Sequence, residues 1–351
     1  MNGALHRRMR GPARLRTVCL ASSIGLVCCV GLALATAPAA QAQPATARTT
    51  ANCPPIAQTP DAAQQRQAQP GATDRGLLWR ISKAGHSSWL YGTLHVGRLD
   101  WVSPGPRIRQ ALLSADTLAL EIDTADPSMA ASMARGLARL RQAEHSTPPP
   151  AALLAGLAAQ AHADCLDAPG FLAQPALLQV TALTVLAGRR DGLDPAFGQD
   201  LALASLARAT GKRLVSLEDP ESQLAALLPD DPAELDALLR NSLAQLEDGS
   251  ARQLLVHLAA LWAQGDLARL ADPAAWCNCL TTGADRAQLR RLNDARNPAL
   301  ADRIAALHSQ GHRVFAAVGA LHMTGAMALP RLLAARGFNV ERSPLAPGAA
   351  R

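Results

Sequence analysis

Strand-like runs stand near both ends of this chain, and a long, mostly helical stretch separates them. Near the N-terminus, residues 77–82 and 88–96 are strand-like runs. Lys83-Ala84-Gly85-His86-Ser87 lies between them, a Gly-containing loop that reads as the turn of a β-hairpin. Residues 117–123, Thr-Leu-Ala-Leu-Glu-Ile-Asp, form a short strand ending in acids, and 212–217 another. Far downstream, 313–321 is the most apolar segment and reads as a strand buried on both faces; 339–342 is a last short one. An isolated strand leaves its backbone groups unpaired, so these distant segments must complete one sheet. The expected class is α/β, a mixed sheet formed by N- and C-terminal segments, with a large helical insertion at about 126–208 as a cap.

The helices read from the same rules. Residues 104–115 begin with proline, which suits the first turn. The middle is rich in Ala and Leu and broken at Pro148-Pro149-Pro150, Pro169-Gly170, Pro175 and Asp194-Pro195. Further helices are expected at 232–246, 251–262, 284–293, 299–309 and 328–335, the last stopping at Gly337.

The chain opens with Arg7, Arg8, Arg10, Arg14 and Arg16, then an uncharged apolar run at 18–37 and the small-x-small exit Ala40-Gln41-Ala42. That order is a secretory signal peptide over 1–42, with Gln43 as the mature N-terminus. An uncleaved anchor is the competing reading, because the apolar run approaches a spanning length. Residues 43–75, rich in Ala, Gln, Pro and Thr, read as a flexible leader, followed by the domain at 76–345 and a short tail at 346–351. The expected location is periplasmic or secreted, with no membrane association after cleavage. The formal charge of +6 falls close to zero once the five leading arginines are gone, so the pI of 9.3 is no argument for nucleic acid. Cys53, Cys165, Cys277 and Cys279 remain. In an oxidising compartment four cysteines favour two disulfides, in any of three connectivities; Cys277-Asn278-Cys279 as a metal or redox pair is the alternative.

Gly92-Thr93-Leu94-His95 and Gly319-Ala320-Leu321-His322 repeat one frame, and each ends a predicted strand. Ligands in open α/β sheets collect at the carboxyl ends of strands, where a histidine is held rigidly and stays accessible. Glycine three residues earlier lets neighbouring backbone pack closely. If both strands are parallel neighbours, the two imidazoles reach one pocket. Glu121 and Glu218 also end strands, where a carboxylate with apolar flanks needs a cation. Two imidazoles and two carboxylates suit Mn, Co, Zn or Fe as a divalent ion. The competing reading is that the acids only solvate strand ends or cap helices. Arg296, before a helix, could hold a substrate carboxylate or an oxyanion. His86, His145, His162, His257, His308 and His312 have no patterned company.

The joint pattern resembles the TraB/GumN family, which includes the Tiki metalloproteases. The blocks that carry it are Leu78-Trp79-Arg80-Ile81, Trp89 through Gly97, Leu120-Glu121-Ile122-Asp123, Gly192-Leu193-Asp194 with Gly211-Lys212 and Leu217-Glu218 through Gln223, Arg296-Asn297, and Val318 through Gly325. The resemblance implies a fold related to the erythromycin-esterase and haem-binding ChaN group. It also implies, in the Tiki branch, a metal-dependent hydrolase. Carried over, the essential residues are His95, His322 and Glu121 for the metal, with Glu121 also a catalytic candidate; Arg296, as a second catalytic candidate, Glu218 and Asp194 are weaker matches. The expected function is periplasmic metal-dependent hydrolysis, with a peptide as one candidate substrate. The alternatives are non-catalytic binding of haem or another ligand, and an accessory role in polysaccharide export.

Overall fold

A computed structural model describes residues 53–54, 57–277 and 282–345. The expected signal peptide, the tail and Cys279 lie outside the described residues. Six strands form one mixed sheet: β1 (Leu77–Lys83), β2 (His86–Thr93), β3 (Thr117–Leu120), β4 (Arg213–Ser216), β5 (Val314–Gly319) and β6 (Asn339–Ser343), in the order β4-β3-β5-β2-β1-β6. β1 pairs antiparallel with β2, as the hairpin loop requires, and antiparallel with β6. The other pairings, β2 with β5, β5 with β3 and β3 with β4, are parallel. The central position of β5 explains its sequence: all six of its residues are buried, so neither face needs a polar side chain.

The helices sort into two apolar cores. α1 (Pro106–Ser114), α5 (Gln199–Ala209), α8 (Ser250–Ala263), α9 (Asn297–Ser309) and α10 (Leu329–Ala335) pack on the sheet, through residues such as Ile108, Leu203, Trp262, Ile304 and Leu333. A second core belongs to α2 (Ala130–Ser146), α3 (Ala151–Ala163), α4 (Ala176–Leu186), α6 (Pro220–Leu227) and α7 (Pro232–Glu247). The helical cap therefore draws on segments on both sides of β4 rather than on 126–208 alone. α4 shows why: ten of its eleven residues are buried, more than one neighbour can cover, and α3, α7 and α8 all contact it.

The leader is a second departure from expectation. Helix Ala62–Ala68 carries a capping box between Asp61 and Gln64. Ser103 Oγ donates to the Gln65 carbonyl at 2.5 Å, and Asp74 accepts from the backbone N–H groups of Arg107 and Ile108 at the start of α1. Composition suggested a flexible leader, but from Asp61 to Asp74 these polar groups serve as caps and clamps. Cys53 is disulfide-bonded to Cys165, which ties the same leader to the end of α3. Cys277 is also disulfide-bonded, which leaves it no thiolate for the metal reading of its pair. Among the described residues, no helix is long and apolar enough to cross a membrane.

Candidate functional site

Parallel pairing of β2, β5, β3 and β4 brings four chain exits to one edge of the sheet. The register aligns Thr93 with Gly319 and Leu120 with Ala317 and Ser216. His95 follows β2 by two residues, Glu121 follows β3 directly, and His322 sits in a 3₁₀ turn, Ala320–Met323, directly after β5. Glu218 N–H donates to the Glu121 carbonyl at 3.0 Å, so the β3–β4 ladder continues to the two glutamates. Arg296 arrives from the opposite direction. It follows a π-helical turn, Arg290–Asp294, a distortion often found near functional sites, and its backbone enters α9.

Arg296 lies at the centre of the charge network and is 8% exposed. Its Nη2 donates to Glu121 Oε2 at 2.6 Å and also to Glu218 Oε2; its Nε donates to Glu218 Oε1 at 3.0 Å. Nη1 donates to the Leu292 carbonyl at 2.8 Å. Glu121 receives two more bonds, from Gly319 N–H at 2.7 Å and Gln223 Nε2 at 3.1 Å. Burial alone would raise the Glu121 carboxyl, but Arg296, with the two histidines, outweighs it and holds Glu121 well below the usual carboxylate range. Glu218 goes the other way. Burial, aided by the Glu121 charge, raises it in spite of Arg296. Burial would also lower Arg296, yet the two glutamates keep it firmly cationic.

The two histidines are supported differently. Asn297 Nδ2 donates to the carbonyls of His322 and Met327, at 3.2 and 2.7 Å, which leaves its Oδ1 as an acceptor. His322 Nδ1, 2.5 Å from that oxygen, must then carry the ring proton, and Nε2 keeps a lone pair that faces Arg296 Nη1 at 3.4 Å. Burial, then the Arg296 charge, pushes His322 down to about 3, so the ring is neutral. His95 has a carboxylate on either side: Asp200 Oδ2 is 2.7 Å from Nδ1 and Glu121 Oε1 is 3.6 Å from Nε2. Asp200 is itself held by the Thr93 hydroxyl at 3.0 Å.

The glycines of the two motifs do different work. A Cβ on Gly92 would stand 3.3 Å from Ala320 Cα, so this glycine permits close packing of β2 on the turn after β5. A Cβ on Gly319 would instead lie 3.2 Å from Glu121 Oε1, 3.4 Å from His95 Nε2 and 3.6 Å from His322 Cδ2. The three side chains thus surround a point that only glycine leaves open. Beside it is a cavity of about 20 Å³, room for one water or ion, lined by both histidines and walled by Leu94, Leu258, Leu292 and Leu321.

The structure therefore brings together His95, Glu121, His322, Arg296 and Glu218, with Glu218 gripping Arg296 through both its oxygens. Asp194 is elsewhere: it caps the turn Pro195–Phe197, pairs through its backbone with Gly97 and lies 3.6 Å from Arg189. Sequence reasoning missed Asp200 and gave no role to Asn297 or Gln223, although Asn297 adjoins Arg296 and Gln223 closes a quoted block. Asp200 had no such signal, since an acid in the first turn of a helix is ordinary.

Among the described residues, no group of three or more His, Cys, Asp or Glu side chains stands as a preformed metal cage. The residue types nevertheless suit an ion: two imidazoles, each anchored through Nδ1, and an ionised glutamate surround Gly319, with His95 Nε2 and Glu121 Oε1 toward it and the His322 Nε2 lone pair toward Arg296. No curated protein and no solved structure matches the chain. A family model does, over residues 77–342, a span that contains the whole sheet except the end of β6 and every residue of the cluster. The chain belongs to the TraB/PrgY/gumN family.

Proposed function

We propose that the protein is a metal-dependent hydrolase that works outside the cytoplasm, with peptides as its substrate class. The observation that carries this reading is the convergence of His95 Nε2, Glu121 Oε1 and the His322 ring on the opening left by Gly319. These three residues would hold a divalent ion of the Mn, Co, Zn or Fe kind. When bound, such an ion supplies Lewis acidity and lowers the pKa of water. The protein's own residues do the rest. Asn297 fixes the His322 ring, and Asp200 backs His95. Arg296 holds positive charge beside both His322 and Glu121, suited to an oxyanion that develops at a carbonyl under attack. Glu218 keeps the guanidinium oriented rather than serving as a further ligand. Leu258, Leu292 and Leu321 give the opening apolar walls.

The test uses exported protein stripped with a chelator and reloaded separately with each metal. A library of quenched fluorescent peptides is the substrate. Cleavage should return with at least one metal in the wild type and remain absent in Glu121→Gln. If no metal raises cleavage above the variant's level, the hydrolase reading fails.

A further inference from the structure

A second cavity, of about 180 Å³, lies between the leader helix Ala62–Ala68, the start of α1 and the end of α5. It shares no lining residue with the histidine cluster. Its charged lining consists of Arg66 and Arg109, with no carboxylate among the residues around it. Arg66 is exposed at the rim and Arg109 is half-buried. Among the described residues, neither guanidinium has a carboxylate partner; Arg109 Nη1 donates to Gln69 Oε1 at 3.2 Å. Both arginines line one cavity, so a bound anion would meet two positive side chains and no competing described carboxylate.

The neighbouring polar groups do not supply one. Gln69 Nε2 donates to the Pro104 carbonyl, Ser103 Oγ to the Gln65 carbonyl and Thr210 Oγ1 to the Leu206 carbonyl. At the end of α5, the carbonyls of Leu206 and Ala207 already accept from the N–H groups of Thr210 and Lys212. The charged donors left over are those of the two arginines, whose planar forks match the oxygens of a phosphate or carboxylate.

We infer that this cavity binds a small oxyanion, a phosphate or carboxylate group of a solute or of a larger ligand. Each charge-assisted hydrogen bond supplied by an arginine strengthens binding by about tenfold or more. Occupancy also couples the leader to the sheet-packing helices, since Arg66 belongs to one and Arg109 to the other.

The experiment is calorimetric titration of the mature, disulfide-intact protein with inorganic phosphate and, separately, with succinate, in chloride buffer of matched ionic strength. Wild type should bind at least one of them at millimolar concentration or below. Binding of phosphate alone assigns a phosphate group, and binding of succinate assigns carboxylates. Arg66→Gln and the double variant Arg66→Gln/Arg109→Gln should weaken binding by about tenfold and to below detection. Arg139→Gln, on the exposed face of α2, should bind as wild type. Arg66 is exposed and donates no side-chain hydrogen bond within the described residues, so its single variant retains the fold and keeps the test valid if the double variant unfolds. Failure of wild type to bind either anion above chloride, or full binding by Arg66→Gln in parallel with Arg139→Gln, overturns the site.

Discussion

Replacing Arg296 by methionine keeps most of the side chain's aliphatic volume and removes its charge. In the folded protein that leaves Glu121, 3% exposed, and Glu218 facing each other without their shared cation. Removing one partner of a buried ion pair costs about 3–5 kcal/mol, and here one guanidinium serves two carboxylates, which points to the upper end. Part of the cost is relieved because Glu218, already raised by burial, can take up a proton. At about 2–4 °C per kcal/mol for a chain of this order of size, Tm should fall by about 10 °C. The pH dependence has a definite sign. In wild type the Glu121 pKa is depressed below its ordinary value of 4.5, so its contribution is present above that pH and is lost as pH falls through the folded value. In Arg296→Met, burial acts unopposed and the carboxylates are raised. The gap between the two proteins is therefore widest near neutrality and closes in acid. Urea unfolding of both at a series of pH values measures it. The triple variant Arg296→Met/Glu121→Gln/Glu218→Gln should recover much of the loss. A cost below about 1 kcal/mol at neutral pH, or a gap that widens in acid, would refute the reasoning.

Other consequences are as specific. Gly319→Ala places a methyl within 3.2–3.6 Å of Glu121, His95 and His322 without a strained φ, so metal affinity should fall by about tenfold or more while Tm changes little; the reverse ranking would show that this glycine serves packing alone. Cys53→Ser/Cys165→Ser opens a link spanning 112 positions and should cost about 2–5 kcal/mol in urea unfolding, with both thiols unreactive in the unreduced wild type. His308 is buried against Ser88, the Lys83 carbonyl and the stacked His86 ring. Burial lowers its pKa below 6.5, so the unfolded chain binds a proton that the folded one refuses, and stability falls as pH drops below 6.5. His308→Gln should flatten that part of the stability–pH curve; an unchanged slope would rule His308 out as its source.

Much of the site was legible because the sheet is built from short, clear signals. β5 is apolar throughout, and His322 follows it in the same frame in which His95 follows β2, so parallel neighbours could be expected. Glu121 and Glu218 were readable as strand-end acids. Their division of labour was not, because it depends on Arg296, whose approach is set by the π-helical turn before it. Asp200 was invisible because its role depends on α5 beginning beside His95, a tertiary fact with no local pattern. The leader misled for a related reason: Asp61, Gln64 and Asp74 resemble linker composition, yet each is consumed as a cap. The cap's extent was underestimated because α6 and α7 follow a strand in sequence and join α2–α4 only through the second core.

The central claim, that the histidine pair and Glu121 form an ion site, is tested most directly by metal content. Purified disulfide-intact protein, and the His95→Ala/His322→Ala variant prepared beside it, are analysed by elemental mass spectrometry after removal of loosely bound ions. Circular dichroism confirms that both are folded. The account predicts about one divalent transition ion per wild-type chain and almost none in the variant. Equal metal in the two proteins, or a wild type that neither retains nor takes up any of the four ions, would contradict it.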